Sequence, residues 1–386
     1  LRVAYLNHGL YYGGATASLY LLLKSLEGRG VERRVFATSC RSEEMRSDFL
    51  KYALSVERVR LPQVHYNQAG RSPLHRFWMA RLFPCLSFAR RLSALGADIL
   101  HVNTTVFPTV LGWVKGWTRA KVVVHVRELL PDYERHPMGR YLAGQILRHA
   151  DAIVAISDNE AAPFRGHPRL AVMPNPFDFS VVDRVPGGFR AANGLPEDAV
   201  LVGMMGQFHR GKGHLDFLRA ARILAAEPAG ARLLFVMLGV PPAPPAEATG
   251  SSYWREVRAL LEDRALAGRV RTFPYVYDVF PAAKALDIIV RPSVSGDPWG
   301  RDVIEAMALG KPVVATGTSG FFVRPDETGF LTPPGRPDLL AERVRLLAED
   351  KGLRERFGRA GAERARSLCD LDRYGDRMAD FYKGLV

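Results

Sequence analysis

The sequence predicts an α/β protein of two doubly wound domains that face each other, and three observations carry that prediction. Short runs rich in Val, Ile and Leu alternate with stretches of helical periodicity. The alternation halts once, in a segment dense in Pro and Gly, and then starts again. The length, 386 residues, is about twice that of a typical domain.

In the first half, strands are expected at residues 3–6, 35–38, 99–102, 122–126 and 153–156. Each is short and dominated by Val, Ile or Leu, as suits parallel strands buried on both faces. Helices fit residues 15–26 and 141–148, and the alternation implies βαβ units in a parallel sheet. Residues 175–196 break the pattern, which sets the expected domains at 1–180 and 199–368 with a linker at 181–198. The second domain repeats the pattern, with strands at 200–205, 233–238, 270–273, 288–290 and 312–315. Its helices fit 215–226, 253–265, 302–309 and 339–348, and residues 241–250 read as a Pro-Ala-rich surface loop. A closing segment, 369–386, holds a helix at 371–385 with Tyr374, Met378, Phe381 and Tyr382 at helical spacing. Doubly wound sheets bind ligands beyond the carboxyl ends of their strands, so both sites are expected there.

Composition narrows the function classes. With 47% hydrophobic and 24% charged residues, the chain can fill two cores. No apolar run approaches the roughly 20 residues that span a bilayer. Residues 2–6 already read as a strand, so no signal peptide is expected. Cys40, Cys85 and Cys369 are far apart and lack metal-ligand spacing, which suits a reducing compartment and a cytoplasmic location. The net charge of +13 is unevenly spread: 24 Lys and Arg stand against 14 Asp and Glu in residues 1–180, and 29 against 26 in the remainder. That asymmetry suggests an anionic partner for the first half, either nucleic acid or an anionic membrane surface, unless it marks only a soluble arginine-rich protein. Residues 76–91 mix Arg with Phe77, Trp78, Phe83 and Phe88, as a peripheral membrane segment would. Core packing could use the same aromatics, and Pro84 is expected to interrupt a continuous amphipathic helix.

The segment richest in chemistry is Asp297-Pro-Trp299-Gly300-Arg301-Asp302-Val303-Ile-Glu305, followed by Ala-Met-Ala-Leu-Gly-Lys-Pro-Val-Val-Ala. Two carboxylates stand eight positions apart, with a Gly at the turn and a helix opening near Arg301. Backbone N–H groups of a first helical turn lack partners within the helix and favour a phosphate; here they belong to Arg301, Asp302 and Val303. Glu305, one turn in, is placed to accept hydrogen bonds from sugar or ribose hydroxyls, and Asp297 to accept others. A turn Asp and a solvated Glu would give the same letters, but Glu305 is embedded in an apolar Val-Ile-x-Ala-Met-Ala stretch.

A second signal, Gly206-Gln207-Phe-His-Arg210-Gly-Lys212-Gly213, directly follows the strand at 200–205. Such a loop could hold a phosphate or be a glycine-rich turn with surface cations. In the first domain, Gly13 and Gly14 lie between a strand and a helix, where backbone can approach a phosphate or simply turn. His125 lies near the end of its strand, ahead of Arg127 and Glu128. It could bond a sugar hydroxyl, act as a general base, or be a satisfied strand-end His, with Arg127 and Glu128 a local ion pair.

Residues 297–315 resemble the E-x7-E signature of family-four glycosyltransferases with the GT-B fold: a Glu, a Phe-Gly pair, a second Glu opening an Ala-Met-Ala helix, then Gly-x-Pro-Val-Val-Ala. The resemblance implies that Glu305 binds the nucleotide ribose and Asp297 contacts the transferred sugar, with Trp299 and Gly300 in the Phe-Gly place. Asp297 is one methylene shorter than the family's Glu. The loop at 206–213 is similar to the family's Gly-Arg-Leu-x-x-x-Lys-Gly, in which Arg and Lys hold the donor diphosphate. Lys212 matches and Gln207 stands at the Arg position; either Arg210 reaches in or the site has one cation fewer. Gly13 and Gly14 match a Gly-Gly-Ala that faces the donor phosphates, and His125, Arg127 and Glu128 match a His-x-Arg-Glu close to the transferred sugar. Tyr275 falls in the stretch that reads the base, 153–157 and 173–178 resemble the domain junction, and the closing helix resembles one that crosses back to the first domain.

What the resemblance implies is a GT-B protein of two facing Rossmann-like domains that moves a hexose from a UDP- or GDP-sugar to a glycan or lipid-linked acceptor. Retention of configuration, no cofactor and no metal are expected, since fixed cations can stabilise the departing phosphate. His125, Lys212, Asp297 and Glu305 are the expected catalytic residues. A sugar-nucleotide epimerase or hydrolase of the same fold, or a non-catalytic nucleotide-sugar or nucleic-acid binder, stand as alternatives. Nucleic acid is the weakest of these, because the most specific motifs lie in the nearly neutral half.

Overall fold

The computed structural model describes residues 1–11, 13–40, 42–64, 76–130, 133–241, 252–276 and 278–386, with backbone alone for 76–82 and 229. The expected loop beyond Pro241 and the side chains of Phe77 and Trp78 lie outside the described residues. The chain divides into two compact units, Leu1–Pro176 with Cys369–Val386, and Phe177–Leu368.

The first unit contains strands β1 (Arg2–Asn7), β2 (Glu32–Ala37), β3 (Ser55–Arg58), β4 (Ile99–Val102), β5 (Lys121–Val126), β6 (Ala152–Ala155) and β7 (Leu170–Val172). They form one parallel sheet in the order β3-β2-β1-β4-β5-β6-β7. Its helices are α1 (Gly14–Ser25), α2 (Glu43–Leu50), α3 (Arg76–Ala94), α4 (Pro108–Trp117), α5 (Pro137–His149) and α6 (Asp158–Ala161). Side chains alternate across the sheet: Val3 and Tyr5 join the core on one face, Ala4 and Leu6 the core on the other. α3 runs through Pro84 rather than stopping there, at the cost of one N–H from its ladder.

The second unit contains α7 (Phe189–Ala192), α8 (His214–Ala225), α9 (Ser252–Leu261), α10 (Phe280–Ala285), α11 (Arg301–Ala308), α12 (Pro337–Glu349) and α13 (Lys351–Cys369), whose last residue is grouped with the first unit. Its strands are β8 (Val200–Met205), β9 (Leu233–Leu238), β10 (Val270–Phe273), β11 (Ile288–Arg291), β12 (Val313–Thr316) and β13 (Gly329–Thr332). They pair in parallel in the order β10-β9-β8-β11-β12-β13. Val202, Met204, Phe217, Phe235 and Val344 pack in its core. The stretch expected as a linker, 181–198, belongs to this unit. Arg190 anchors it with hydrogen bonds to the Ala285 and Ala199 carbonyls and a 2.7 Å ion pair to Asp287.

After α13 the chain returns to the first unit as α14 (Leu371–Lys383). Asp370 caps it by accepting from the Arg373 N–H, and Tyr374, Met378 and Tyr382 bury one face beside α1. Arg29 adds an ion pair to Asp376 at 2.8 Å. No helix among the described residues is long and apolar enough to cross a membrane.

Candidate functional site

In the second unit the sheet order reverses at β8, whose neighbours are β9 and β11, so a crevice opens beyond the carboxyl ends of β8 and β11. Both exits carry the expected motifs. After β8 the chain makes a tight turn at Arg210–Lys212, where the His209 ring accepts from the Gly211 N–H, and enters α8. Gly213 holds φ at 77°, and a Cβ there would run into the Pro292 carbonyl, so only glycine lets this loop lie against the exit of β11. A 3.0 Å hydrogen bond from the Val294 N–H to the Gly211 carbonyl ties the two loops.

Lys212 lies in this crevice with its stem over Gly206, where a Cβ would stand 3.6 Å from the lysine Cδ. Among the described residues its ammonium makes no ion pair or hydrogen bond. Burial lowers its pKa and the nearby Arg291 lowers it further, while Asp302 and Asp297 act in the opposite sense. It is a cation short of a counterion.

The carboxylates are arranged differently. Arg291, the last residue of β11, is buried and donates from Nη1 to both oxygens of Asp302 at 2.6 and 2.8 Å. From Nη2 it donates to Oδ2 of Asp297 at 2.7 Å, and from Nε to the Asp297 carbonyl at 2.9 Å. Burial works to raise the Asp302 pKa, but the Arg291 guanidinium, with Lys212 behind it, holds it below its ordinary value. Gly300 makes the bridge fit: a Cβ would stand 2.7 Å from both Arg291 Nη1 and Asp302 Oδ1. The second Asp297 oxygen, Oδ1, is buried with no partner among the described residues.

Glu305 is buried on α11 and accepts from Arg301 Nη2 at 2.9 Å, one turn away. Burial raises its pKa against the pull of Arg301, and Asp302 raises it further. The Asp302 charge raises the pKa of both Lys212 and Glu305. α8 and α11 start on Gly213 and Gly300, which offer no capping side chain. Trp299 is buried, stacked on Phe322 with ring centroids 5.0 Å apart, and its Nε1 has no partner among the described residues. Arg210, expected to reach toward the diphosphate, is held at Glu256 (3.4 Å) and over the Tyr253 ring. Gln207 and Tyr275 are exposed.

A second cluster lies in the first unit, where the sheet order reverses at β1. Asn103, just after β4, donates to Asn7 Oδ1 at 3.0 Å and to the Ala15 carbonyl at 3.2 Å. Its own Oδ1 accepts from Arg127 Nε at 2.7 Å, and Arg127 Nη1 donates to Asn175. Arg127 Nη2 and His101 Nε2 each lie 3.2 Å from Nδ1 of His125. His101 Nδ1 is 2.7 Å from the Tyr382 hydroxyl, on α14. Burial first, then the Arg127 charge, pushes both histidines well below the ordinary imidazole pKa, so they are neutral. Glu128 accepts from the Thr105 N–H and hydroxyl at 2.9 and 2.5 Å, and its charge also acts on Arg127. Gly13 opens α1 without a capping side chain, with Gly14 in its first turn.

With this geometry the relatives can be placed. Residues 188–364 match the family model described as glycosyl transferases group 1, and residues 13–176 match the one described as a glycosyl transferase 4-like domain. The chain belongs to the family-four glycosyltransferases of the GT-B fold. The lipopolysaccharide core biosynthesis glycosyltransferase LpsE of Rhizobium meliloti (strain 1021) is 30% identical over 189 residues, 48% of this chain and 50% of that protein. A D-inositol 3-phosphate glycosyltransferase of Corynebacterium efficiens is 24% identical over 381 residues, 92% of this chain and 87% of that one. A phosphatidyl-myo-inositol mannosyltransferase of Mycobacterium leprae is 36% identical over 105 residues, 26% of this chain and 28% of that one. The matches to the first and the last of these therefore span half of the relative's length or less. Anabaena HepE in complex with UDP and glucose superposes with a TM-score of 0.78 at 19% identity, over 99% of each chain. Sucrose-phosphate synthase from Thermosynechococcus elongatus does so at 0.77 and 21%, over 100% of this chain and 98% of that one.

Within this family-four chain, several site residues escape the motifs. Arg291 ends an otherwise apolar strand, and a cation in a buried strand signals carboxylate partners nearby. His101, Asn7 and Asn103 carry the same signal, as polar residues within or just beyond apolar strands. Tyr382 carried none, because its spacing on α14 reads as core.

Proposed function

We propose that the protein moves a hexose from a nucleoside diphosphate, of UDP or GDP type, to a hydroxyl of a glycan or lipid-linked acceptor, with retention and without a metal. One observation carries the reading: the Lys212 ammonium, half-buried in the β8–β11 crevice, makes no ion pair or hydrogen bond among the described residues. Opposite unit charges at about 4 Å in a site of effective dielectric about 20 attract by about 4 kcal/mol, enough to favour a bound diphosphate. Sugar transfer leaves negative charge on the departing phosphate, and a fixed cation with two uncapped helix starts favours that charge.

The other groups fit a nucleotide-sugar. Glu305 accepts from ribose hydroxyls, and the unpartnered Oδ1 of Asp297 accepts from a hydroxyl of the sugar. A buried acceptor left unpaired costs about 1–3 kcal/mol, which such a hydroxyl restores. Asp297 is already committed to Arg291 through Oδ2, so it is not assigned as a covalent nucleophile. In the proposed step the bond from the anomeric carbon to the phosphate oxygen breaks and the acceptor oxygen bonds to that carbon on the same face. The acceptor proton passes to the leaving phosphate.

Phe83 on α3 and Trp117 on α4 are exposed, which supports contact of the basic first unit with an anionic membrane at its cytoplasmic face. The function is tested by thermal shift against UDP-, GDP- and ADP-sugars, followed by NMR of the product anomer in the presence of a chelator. Stabilisation by one donor class and a retained anomer support the reading. No shift with any donor, or an inverted product, contradicts it.

A further inference from the structure

The hydrogen bonds around His125 have a direction, and one residue sets it. A guanidinium can only donate, so His125 Nδ1, 3.2 Å from Arg127 Nη2, accepts. His101 Nε2 lies 3.2 Å from the same atom and must therefore donate to it. A neutral imidazole carries one proton, which leaves His101 Nδ1 bare to accept from the Tyr382 hydroxyl at 2.7 Å. Tautomers assigned in this way follow from the partners. The proton of His125 is then on Nε2, an atom that is buried and has no partner among the described residues.

We infer that Arg127 is a positioning residue that fixes His125 as the Nε2–H tautomer, so that His125 offers a hydrogen-bond donor at Nε2 and has no lone pair there to act as a base. The reverse direction would aim a His125 Nδ1–H at the Arg127 N–H. An imidazolium would add a second positive charge beside a buried guanidinium. Arg127 is itself held from two sides, by Asn103 after β4 and Asn175 after β7, so its Nη2 cannot turn away without losing both. The groups facing the pair are Arg127, Tyr382 and Tyr5, whose ring lies 5.2 Å from that of His101, with Tyr374 and the Glu128 carboxylate near Arg127. The charge that acts on the histidines themselves is that of Arg127, which disfavours the imidazolium.

The tautomer does not rest on the proposed transfer activity, so the test below stands apart from the test of that activity. Long-range proton–nitrogen NMR of the full chain, labelled at histidine, reads the protonation of His125 directly. Wild type should show Nε2–H across about pH 6 to 8. Arg127→Met should convert that signal into a mixture of tautomers, because only the reversible His101 contact is left. An Nδ1–H or doubly protonated His125 in wild type overturns the inference, as does an unchanged tautomer in Arg127→Met. Should that variant not fold, Arg127→Gln takes its place: an amide can donate or accept, so it no longer sets the direction and His125 should again show a mixture of tautomers, whereas an unchanged Nε2–H signal overturns the inference.

Discussion

Arg291 and Asp302 form a two-pronged buried ion pair, Nη1 reaching one carboxylate oxygen at 2.6 Å and the other at 2.8 Å. The same guanidinium holds Asp297, so one strand-end cation sets the position of both acidic residues in the signature segment. Arg291→Met removes the cation and leaves two carboxylates in a low-dielectric pocket. Breaking a buried pair from one side costs about 3–5 kcal/mol, and denaturant unfolding should show a loss of that order. A loss below about 1 kcal/mol would mean the bridge is solvated and does not organise the segment.

Gly300 has little room for any side chain. Gly300→Ala places a Cβ 2.7 Å from Arg291 Nη1, against a guanidinium already fixed by four hydrogen bonds. Overpacking of this kind costs about 1–3 kcal/mol, and nucleotide affinity should fall with it as α11 shifts. Calorimetric titration on a folded Gly300→Ala protein checks this; unchanged affinity would separate the bridge from the nucleotide.

The two buried histidines of the first unit predict an acid sensitivity. Both are held well below the ordinary 6.5 in the folded chain, by burial first and Arg127 second. The unfolded chain then binds more protons below pH 6.5, so stability falls as pH drops from there toward the folded values. The slope is about 1.4 kcal/mol per pH unit for each histidine. Replacing His101 and His125 together with Gln should reduce the slope measured between about pH 5 and 6.5, leaving the share of His214, which burial lowers to about 4, whereas an equal slope would place the sensitivity elsewhere.

Membrane contact is expected to depend on the exposed aromatics of α3 and α4. Phe83→Ser with Trp117→Ser should reduce recovery with anionic vesicles several-fold and leave thermal stability within about 0.5 kcal/mol, as surface changes do. Equal recovery of wild type on neutral and anionic vesicles would remove the membrane reading.

Much of the fold could be read from the sequence because most of its parallel strands are buried on both faces and written in Val, Ile and Leu. The expected strands at 99–102, 200–205, 233–238 and 270–273 coincide with those observed. Three edge strands, β3, β7 and β13, were missed, whereas the edge strand β10 was not. β3 reads Ser-Val-Glu-Arg, which carries no apolar run, and β7 has only three residues. The signature segment and the Lys212 loop were legible because their chemistry is local in sequence. The network behind His125 was not: Tyr382 and His101 are 281 positions apart, and only the return of α14 to the first unit brings them together.

The central claim is that Lys212 supplies the charge that holds a nucleoside diphosphate. Isothermal titration of UDP and GDP into wild type and Lys212→Met tests it most directly. Wild type should bind one of the two, and Lys212→Met should lose at least about tenfold in affinity, or about 1.4 kcal/mol, while equalling or exceeding wild type in stability, since it sheds a desolvated, unpaired ammonium. Equal affinity in the two proteins, or no binding of either nucleotide to wild type, would contradict the account.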